Sequence, residues 1–288
     1  MAMAKSSSKT KKSATSKKRS TAKRRPPQAE QADRYRLYQS SVQTPSADVA
    51  FFDRVFRKLR GRAPRSLRED FCGTGYLSAT WAASHRERTA LGIDIDPEPL
   101  AWGKAHNLTT ISPKAAQRVQ LVQADVLDGV GDRTEVACAM NFSYGVFKER
   151  ELLRRYFQVV HDRLEDDGVF FTEIYGGTEA IVELEEERDC EGFTYVWQQE
   201  RYNPIDHHTR CHIHFRFPDK SKIERAFTYD WRLWSIPELR ELLVEAGFQR
   251  PAVYWETTDE DGDGTGEFEV TEEQENQESW LVYIVAAK

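Results

Sequence analysis

From residue 66 onward the chain alternates short apolar runs with amphipathic segments, a rhythm that restricts it to βα units around a mostly parallel sheet. The spacing predicts strands at 66–70, 90–94, 119–125, 136–142 and 169–175. Helices are predicted at 76–84, at 97–107 behind Pro97, and at 148–165, where Leu152, Leu153, Tyr156, Phe157, Val160 and Leu164 make one stripe. The period then drops to two across 193–202, 211–217 and 223–234, with Asn203-Pro204-Ile205-Asp206 and Pro218-Asp219-Lys220-Ser221 as turns between them. An antiparallel three-stranded insertion over 193–235 is therefore expected after the fifth strand. A helix at 237–246, closed by Gly247, and strands at 252–256 and 280–286 finish the pattern. The loop joining those last strands has no helix of its own, which predicts an antiparallel pair.

Ahead of this region, Tyr35, Leu37 and Tyr38, then Ala50, Phe51, Phe52, Val55, Phe56 and Leu59, fall at helical spacing and define an N-terminal helical segment over 33–65. Residues 1–29 carry ten Lys or Arg and no acid, and the first 27 contain no Leu, Ile, Val or aromatic residue. Such a run cannot offset its ordering entropy by burial, so residues 1–32 are expected to be a disordered basic tail. It suits a nucleic-acid or anionic-surface tether, a nuclear address, or a solubilising extension. The net charge of -6 thus divides into +10 on the tail and -16 on the rest. A body that acidic repels phosphate backbones, so nucleic acid is not an expected partner except through the tail. No stretch reaches the roughly 18 uncharged apolar residues of a membrane helix, and no signal peptide opens the chain. Cys72, Cys138, Cys190 and Cys211 are too scattered for a disulfide framework or zinc ribbon. A soluble, cytoplasmic protein without a metal is the expectation.

The chemistry concentrates at the first strand-to-helix turn, Glu69-Asp70-Phe71-Cys72-Gly73-Thr74-Gly75. Glycines at the carboxyl end of a parallel strand let backbone approach a ligand. Asp94 ends the second strand, where a carboxylate can accept both hydroxyls of a ribose, and Asp125 ends the third, where adenine would lie. Together they describe a nucleoside pocket. A dinucleotide fingerprint needs a third glycine, and Ser78 stands at that position. Glu69, four residues before Gly73, suits instead a ligand ammonium, and S-adenosylmethionine has an amino-acid end.

Through Glu69 to Gly75, Gly92-Ile93-Asp94-Ile95-Asp96-Pro97, Gln123-Ala124-Asp125-Val126 and the turn Leu164 to Gly168, the chain resembles the class I S-adenosylmethionine-dependent methyltransferases over about residues 50–288. The resemblance implies a Rossmann-like seven-stranded sheet ending in an antiparallel hairpin. It implies that Glu69, Gly73 and Gly75 line the methionine end of the cofactor, Asp94 the ribose, and Asp125 with Val126 the adenine. Cys72, Ile95 and Asn141 complete the implied cofactor-binding set. Phe71 replaces the family's common first glycine, and Arg68-Glu69-Asp70 makes the first strand unusually polar. Asn141 and Tyr144 occupy the outer positions of an amino-methyltransferase signature whose two prolines are absent, which disfavours a nucleobase acceptor. The chain is similar, more loosely, to glycine/sarcosine-type and amino-sugar N-methyltransferases. That implies a small-molecule acceptor, with an amine nitrogen as the target. A macromolecule-directed enzyme, or a non-catalytic cofactor binder recruited by the tail, is the alternative.

Transfer to an amine requires a base or a desolvating pocket, and Tyr144, His212 and His214 are the candidate catalytic residues, with Glu173 and Tyr175 behind them. In the inserted strand Arg210, His212, His214 and Arg216 share one face and Cys211, Ile213, Phe215 and Phe217 the other. The polar face suits a pocket wall, a solvated surface or, with His207 and His208, a metal site. Tyr195, Trp197, Tyr229 and Trp231 suit either an aromatic wall for a methylated ammonium or core packing. Asp259, Asp261, Asp263 and Gly264 mimic half of a calcium loop, but Val270 stands where its bidentate glutamate is required. From Glu256 to Glu278 there are eleven acids and no base, a solvated connection that can overhang the pocket.

Overall fold

The computed structural model describes residues 25–262 and 264–288. Most of the expected basic tail lies outside the described residues. Its last part does not behave as a tail, since Gln28–Gln31 forms a helical turn, α1. The Gln28 N–H donates to Asp219 Oδ2 and the Ala29 N–H to Ser221 Oγ, so the turn between two inserted strands ties this segment down. Helix α2 (Arg34–Val42) starts at Asp33, whose side chain accepts from the N–H groups of Tyr35 and Arg36. Helix α3 (Pro45–Arg60) opens with proline, ends at left-handed Gly61, and buries Val49, Phe51, Phe52, Val55 and Phe56.

The βα alternation then builds β1 (Ser66–Asp70), α4 (Tyr76–Ser84), β2 (Thr89–Asp94), α5 (Pro97–Thr110), the short α6 (Pro113–Ala116), β3 (Val119–Gln123), β4 (Thr134–Ala139), α7 (Arg150–Arg163) and β5 (Leu164–Gly176). The insertion follows as β6 (Leu184–Cys190), β7 (Phe193–Tyr202), β8 (His208–Arg216) and β9 (Lys222–Arg232). Helix α8 (Ile236–Glu245), whose Ser235 and Glu238 form a capping box, leads to β10 (Ala252–Thr258), β11 (Gly264–Thr271) and β12 (Trp280–Ala287).

The strands form an eight-stranded sheet in the order β11-β10-β12-β5-β4-β1-β2-β3 and a four-stranded sheet in the order β6-β7-β8-β9. The first five strands run parallel, and β12 is antiparallel to both β5 and β10. Two strand counts differ from expectation. β11 makes the main sheet eight-stranded rather than seven, and β6 makes the insertion four-stranded rather than three. Both are edge strands rich in acid, Gly-Thr-Gly-Glu-Phe-Glu-Val-Thr and Leu-Glu-Glu-Glu-Arg-Asp-Cys; β6 has almost no apolar face, and β11 alternates only over Glu267 to Val270, packing Phe268 against Phe51 and Tyr283, too short a run to reveal a strand.

One face of the main sheet packs α7 and α8 through Tyr156, Phe157, Leu239 and Leu243, and the other packs α3 and α4 through Phe52, Phe56 and Trp81. The polar first strand is internal. Arg68 is fully buried, donating from Nε to Asp70 Oδ1 at 2.8 Å and from Nη1 to the Val130 carbonyl at 2.6 Å. The Tyr156 hydroxyl donates to the second Asp70 oxygen at 3.0 Å. Removing one member of such a buried pair costs about 3–5 kcal/mol, which gives Asp70 a structural role rather than one toward ligand. No described helix is long and apolar enough to cross a membrane.

Candidate functional site

Two cavities meet at the carboxyl end of the parallel strands. The first, about 470 Å³, is bordered by Phe71, Cys72, Gly73, Thr74, Asp94 and Asp96 from the main sheet, by Tyr38 and Gln43 from the N-terminal segment, and by the edge strand β9. The second, about 660 Å³, lies between the two sheets. Tyr38, Asn141 and Tyr229 line both, so they mark the junction.

The first cavity has the shape of the β1-to-α4 turn. Gly73 and Gly75 have φ of +51° and +63°, and Phe71, where a glycine is usual, takes φ of +57°. That left-handed phenylalanine costs about 1–3 kcal/mol, offset by its packing against Phe147 and Tyr156. A Cβ on Gly73 would meet nothing within 4 Å and would point into open space, whereas one on Gly75 would strike the Leu121 side chain at 2.6 Å. The first glycine keeps room for ligand and the second lets α4 close onto β3. Asp94 Oδ2 accepts the Gly73 N–H at 2.7 Å and Oδ1 the Asp96 N–H at 2.9 Å, leaving a lone pair on each oxygen toward the cavity. Burial raises its pKa, with the Asp96 charge adding to the effect.

These residues fit a nucleoside with an amino-acid end. Gln43 Oε1 is buried without a hydrogen-bond partner at this cavity, an acceptor without a donor, and Ile95, between the two lining aspartates, is 67% exposed. An ammonium would satisfy the first and an adenosine face would cover the second.

Of the residues expected to bind cofactor, Cys72, Gly73, Asp94 and Asn141 line the first cavity; others do not. The Glu69 carboxylate is 4% exposed and turned away, accepting from the Ser78 N–H at 2.8 Å and Ser78 Oγ at 2.5 Å; burial pushes its pKa up to about 8. It braces the start of α4 where a ligand ammonium was expected. Asp125 accepts the Leu127 N–H at 2.9 Å and caps the short turn that follows, and Val126 is buried in the core; neither lines a cavity.

The three catalytic candidates are displaced as well. Tyr144 is packed in the core, its hydroxyl donating to the Glu173 carbonyl at 3.0 Å, and burial holds its pKa well above the ordinary phenol value. A phenol so placed cannot take a proton from an acceptor. His212 and His214 project from the far face of the small sheet, because the near face belongs to Cys211, Ile213 and Phe215. His212 Nε2 lies 3.1 Å from Glu200 Oε2 and Nδ1 2.9 Å from Thr228 Oγ1, while His214 Nε2 lies 3.1 Å from Gln198 Oε1. This is a structural network within the sheet: His212 is buried in it and His214 half-buried, and neither lines a cavity described above. No group of three or more His, Cys, Asp or Glu able to hold a metal ion occurs among the described residues.

Aromatic residues line the second cavity instead. Tyr195, Trp197, Ile213, Tyr229 and Trp231 come from the small sheet, Phe142 and Tyr175 from the ends of β4 and β5, and Trp255 and Trp280 from β10 and β12. Tyr229 stacks on Trp231 with centroids 4.3 Å apart, and Trp197 lies 6.4 Å from Trp231. Asn141 and Phe142 are consecutive left-handed residues, φ +54° and +57°, so the chain after β4 bends sharply at the junction. Glu173 accepts the Asn141 N–H and holds that bend, and its pKa is pushed up to about 8, chiefly by burial. Sequence reasoning did not anticipate Tyr38 and Gln43. They reach the site only because α2 folds across it, and nothing local in the sequence signals that placement.

No family model and no curated protein matches the chain. Among solved structures, a S-adenosylmethionine-dependent methyltransferase from Clostridium acetobutylicum is 13% identical, with 88% of this chain and 96% of that one covered at a TM-score of 0.62. DesVI of Streptomyces venezuelae is 19% identical, with 89% and 97% covered at 0.63. CalS10, an amino pentose methyltransferase from Micromonospora echinaspora solved with the cofactor bound, is 16% identical, with 88% and 95% covered at 0.62. The chain therefore has the fold of the class I S-adenosylmethionine-dependent methyltransferases.

Proposed function

We propose that the protein is a S-adenosylmethionine-dependent methyltransferase acting on a small molecule with an amine nitrogen. The observation that supports this most is the junction, where Tyr38, Asn141 and Tyr229 belong at once to a nucleoside-shaped cavity and to an aromatic one. When bound, the cofactor supplies a methyl group on a sulfonium, ready for displacement by a nucleophile in line with the carbon–sulfur bond. Asp94 accepts the ribose hydroxyls, and Gln43 Oε1 accepts from the ammonium. The aromatic walls exclude water and hold the acceptor so that its nitrogen lies at Asn141. Burial raises the phenol pKa values of both Tyr38 and Tyr229, so they orient the nitrogen without taking its proton. The proton leaves to water at the mouth of the cavity. The structural relatives fit this reading, since one acts on an amino pentose and KedS8 of Streptoalloteichus is a sugar N-methyltransferase.

Calorimetry with S-adenosylhomocysteine tests the first half. Micromolar binding is expected for the parent chain, and Asp94→Ala, losing two charge-assisted hydrogen bonds of about 1.5–3 kcal/mol each, should weaken it at least about 100-fold. Labelled cofactor with panels of amines, phenols and thiols tests the second. Transfer to phenols or thiols alone would refute the nitrogen assignment, and unchanged affinity in Asp94→Ala would refute the site.

A further inference from the structure

The aromatic cavity carries two carboxylates that the transfer reaction does not by itself require. Glu186 comes from β6, the edge of the small sheet, and Glu256 from β10 in the main sheet, so the two sheets each bring one acid to the same space. Neither forms an ion pair with another described residue; Glu256 Oε1 accepts only the Gly266 N–H at 2.7 Å, beneath the turn into β11. Arg188 is the one cationic residue among the described lining, and its guanidinium is committed to the Ser41 carbonyl and to the Tyr195 ring, 5.1 Å from its centroid. Of the acids on β6, Glu186 alone lines the cavity; Glu185 and Glu187 are on the other face of the strand, paired with Arg216. On the other side the turn between β10 and β11 reaches the cavity at Gly262 and Gly264, within the segment of eleven acids and no base. The Tyr175 hydroxyl, buried in the cavity wall without a hydrogen-bond partner, is a further polar group left for a ligand.

A single ammonium would be accommodated by the tryptophans and tyrosines alone. Glu186 is exposed at the edge of the cavity and Glu256 half-buried, so a neutral or singly charged acceptor would leave both carboxylates unmatched. We infer that the acceptor is a polyamine: one amine lies in the aromatic box at Asn141, and a second, cationic amine is held between Glu186 and Glu256. This rests on the methyl-transfer reading and deepens it. The arrangement also favours the chemistry, because a fixed positive charge nearby lowers the pKa of the reacting amine and so raises the fraction with a free lone pair. That nitrogen gains the methyl carbon, loses its proton to water, and the sulfonium leaves as a neutral thioether.

The test compares spermidine with hexylamine as acceptors for the full chain. Spermidine should have a kcat/KM at least about 30-fold higher, and in the double variant Glu186→Gln, Glu256→Gln that ratio should fall below about threefold with S-adenosylhomocysteine affinity retained. About 1 M salt should shrink it as well. Equal use of the two amines by the parent chain overturns the inference and leaves the transfer reading intact. If no amine is methylated, the transfer reading falls, and calorimetry of spermidine into the S-adenosylhomocysteine complex decides the inference alone. Binding that the double variant abolishes upholds it; absent heat, or heat that the variant retains, overturns it.

Discussion

The two faces of the inserted sheet come from the same strands and the same alternation, yet they have opposite fates. Toward the main sheet stand Trp197, Ile213, Tyr229 and Trp231, which line the aromatic cavity. Away from it stand Gln198, Glu200, His212, His214 and Thr228, bonded to one another and to Arg225. The face that carries the histidines is bonded within itself, and the face that carries the aromatic rings lines the cavity. The physical reason is hydration. An isolated antiparallel sheet can satisfy its polar side in water, but its aromatic side must find cover, and the cover available is the open carboxyl end of the parallel sheet. Methyl transfer suits such a wall, since the electrophile comes with the cofactor and the protein has only to orient and dehydrate.

The largest effect should therefore come from the inward face. Trp197→Ala removes one ring of the box, and a cation–π contribution of about 2 kcal/mol corresponds to a kcat/KM lower by roughly 30-fold, measured with whichever amine proves best. Cofactor affinity should be unchanged, because Trp197 lines only the acceptor cavity. A loss below threefold would return the aromatic stripe to simple packing.

On the outward face the loss should appear in stability. His212 is 1% exposed and sits between Glu200 and Thr228, so His212→Ala leaves the Thr228 hydroxyl without its partner and Glu200 with Arg225 alone, and should lower the unfolding free energy by about 1–3 kcal/mol in urea. The turnover of folded protein should stay within about twofold. The opposite pattern, normal stability and lost turnover, would restore His212 to the reaction.

This division also explains what could be read in advance. The βα order and the placing of the glycine turn and Asp94 at the carboxyl end of the sheet were legible because each is local: an apolar run, a glycine pair and a carboxylate at a strand end carry their meaning within a few residues. Tyr38, Gln43 and the direction of the small sheet were not. Alternation assigns residues to two faces but does not say which face is turned inward, and no residue between Phe193 and Trp234 records where β4 and β5 end. Glu69 misled for a related reason. Its distance from Gly73 suits a ligand ammonium, but the strand sends its side chain under the turn to Ser78, on the α4 side of the sheet.

The carboxyl groups behind and in front of the sheet should show opposite responses to pH. Glu173, buried at the base of the junction, has its pKa pushed up to about 8 from an ordinary 4.5, first by burial and then by the nearby Asp48 charge. The folded chain keeps a proton that the unfolded chain gives up, so this group's contribution to stability is complete below about pH 4.5 and is lost as pH rises through about 8. Glu200 is shifted downward, first by its hydrogen bond with His212, so its contribution is present at neutral pH and is lost as the solution becomes acidic enough to protonate it. In Tm measured across pH, Glu173→Gln should flatten part of the decline toward alkaline pH, leaving the share due to Glu69, whose pKa is also about 8. Glu200→Gln should change only the acid limb.

His214→Ala should show the smallest effect. The ring is half-buried, its Nε2 meets Gln198 Oε1, and Nδ1 accepts the Arg225 N–H at 3.2 Å. Burial lowers its pKa, and the charge of neighbouring His212 acts in the same direction. A histidine kept neutral near the acceptor would be well suited to act as a base, which is why its position decides the matter. It lines neither cavity and so is not placed to touch an acceptor there. The pH profile of kcat/KM in His214→Ala should superimpose on that of the parent within about twofold, with a stability loss of no more than about 1 kcal/mol for the two modest hydrogen bonds. If the basic limb of that profile moved instead, His214 would be exchanging protons with the site, and the two faces of the sheet would not be separate in function.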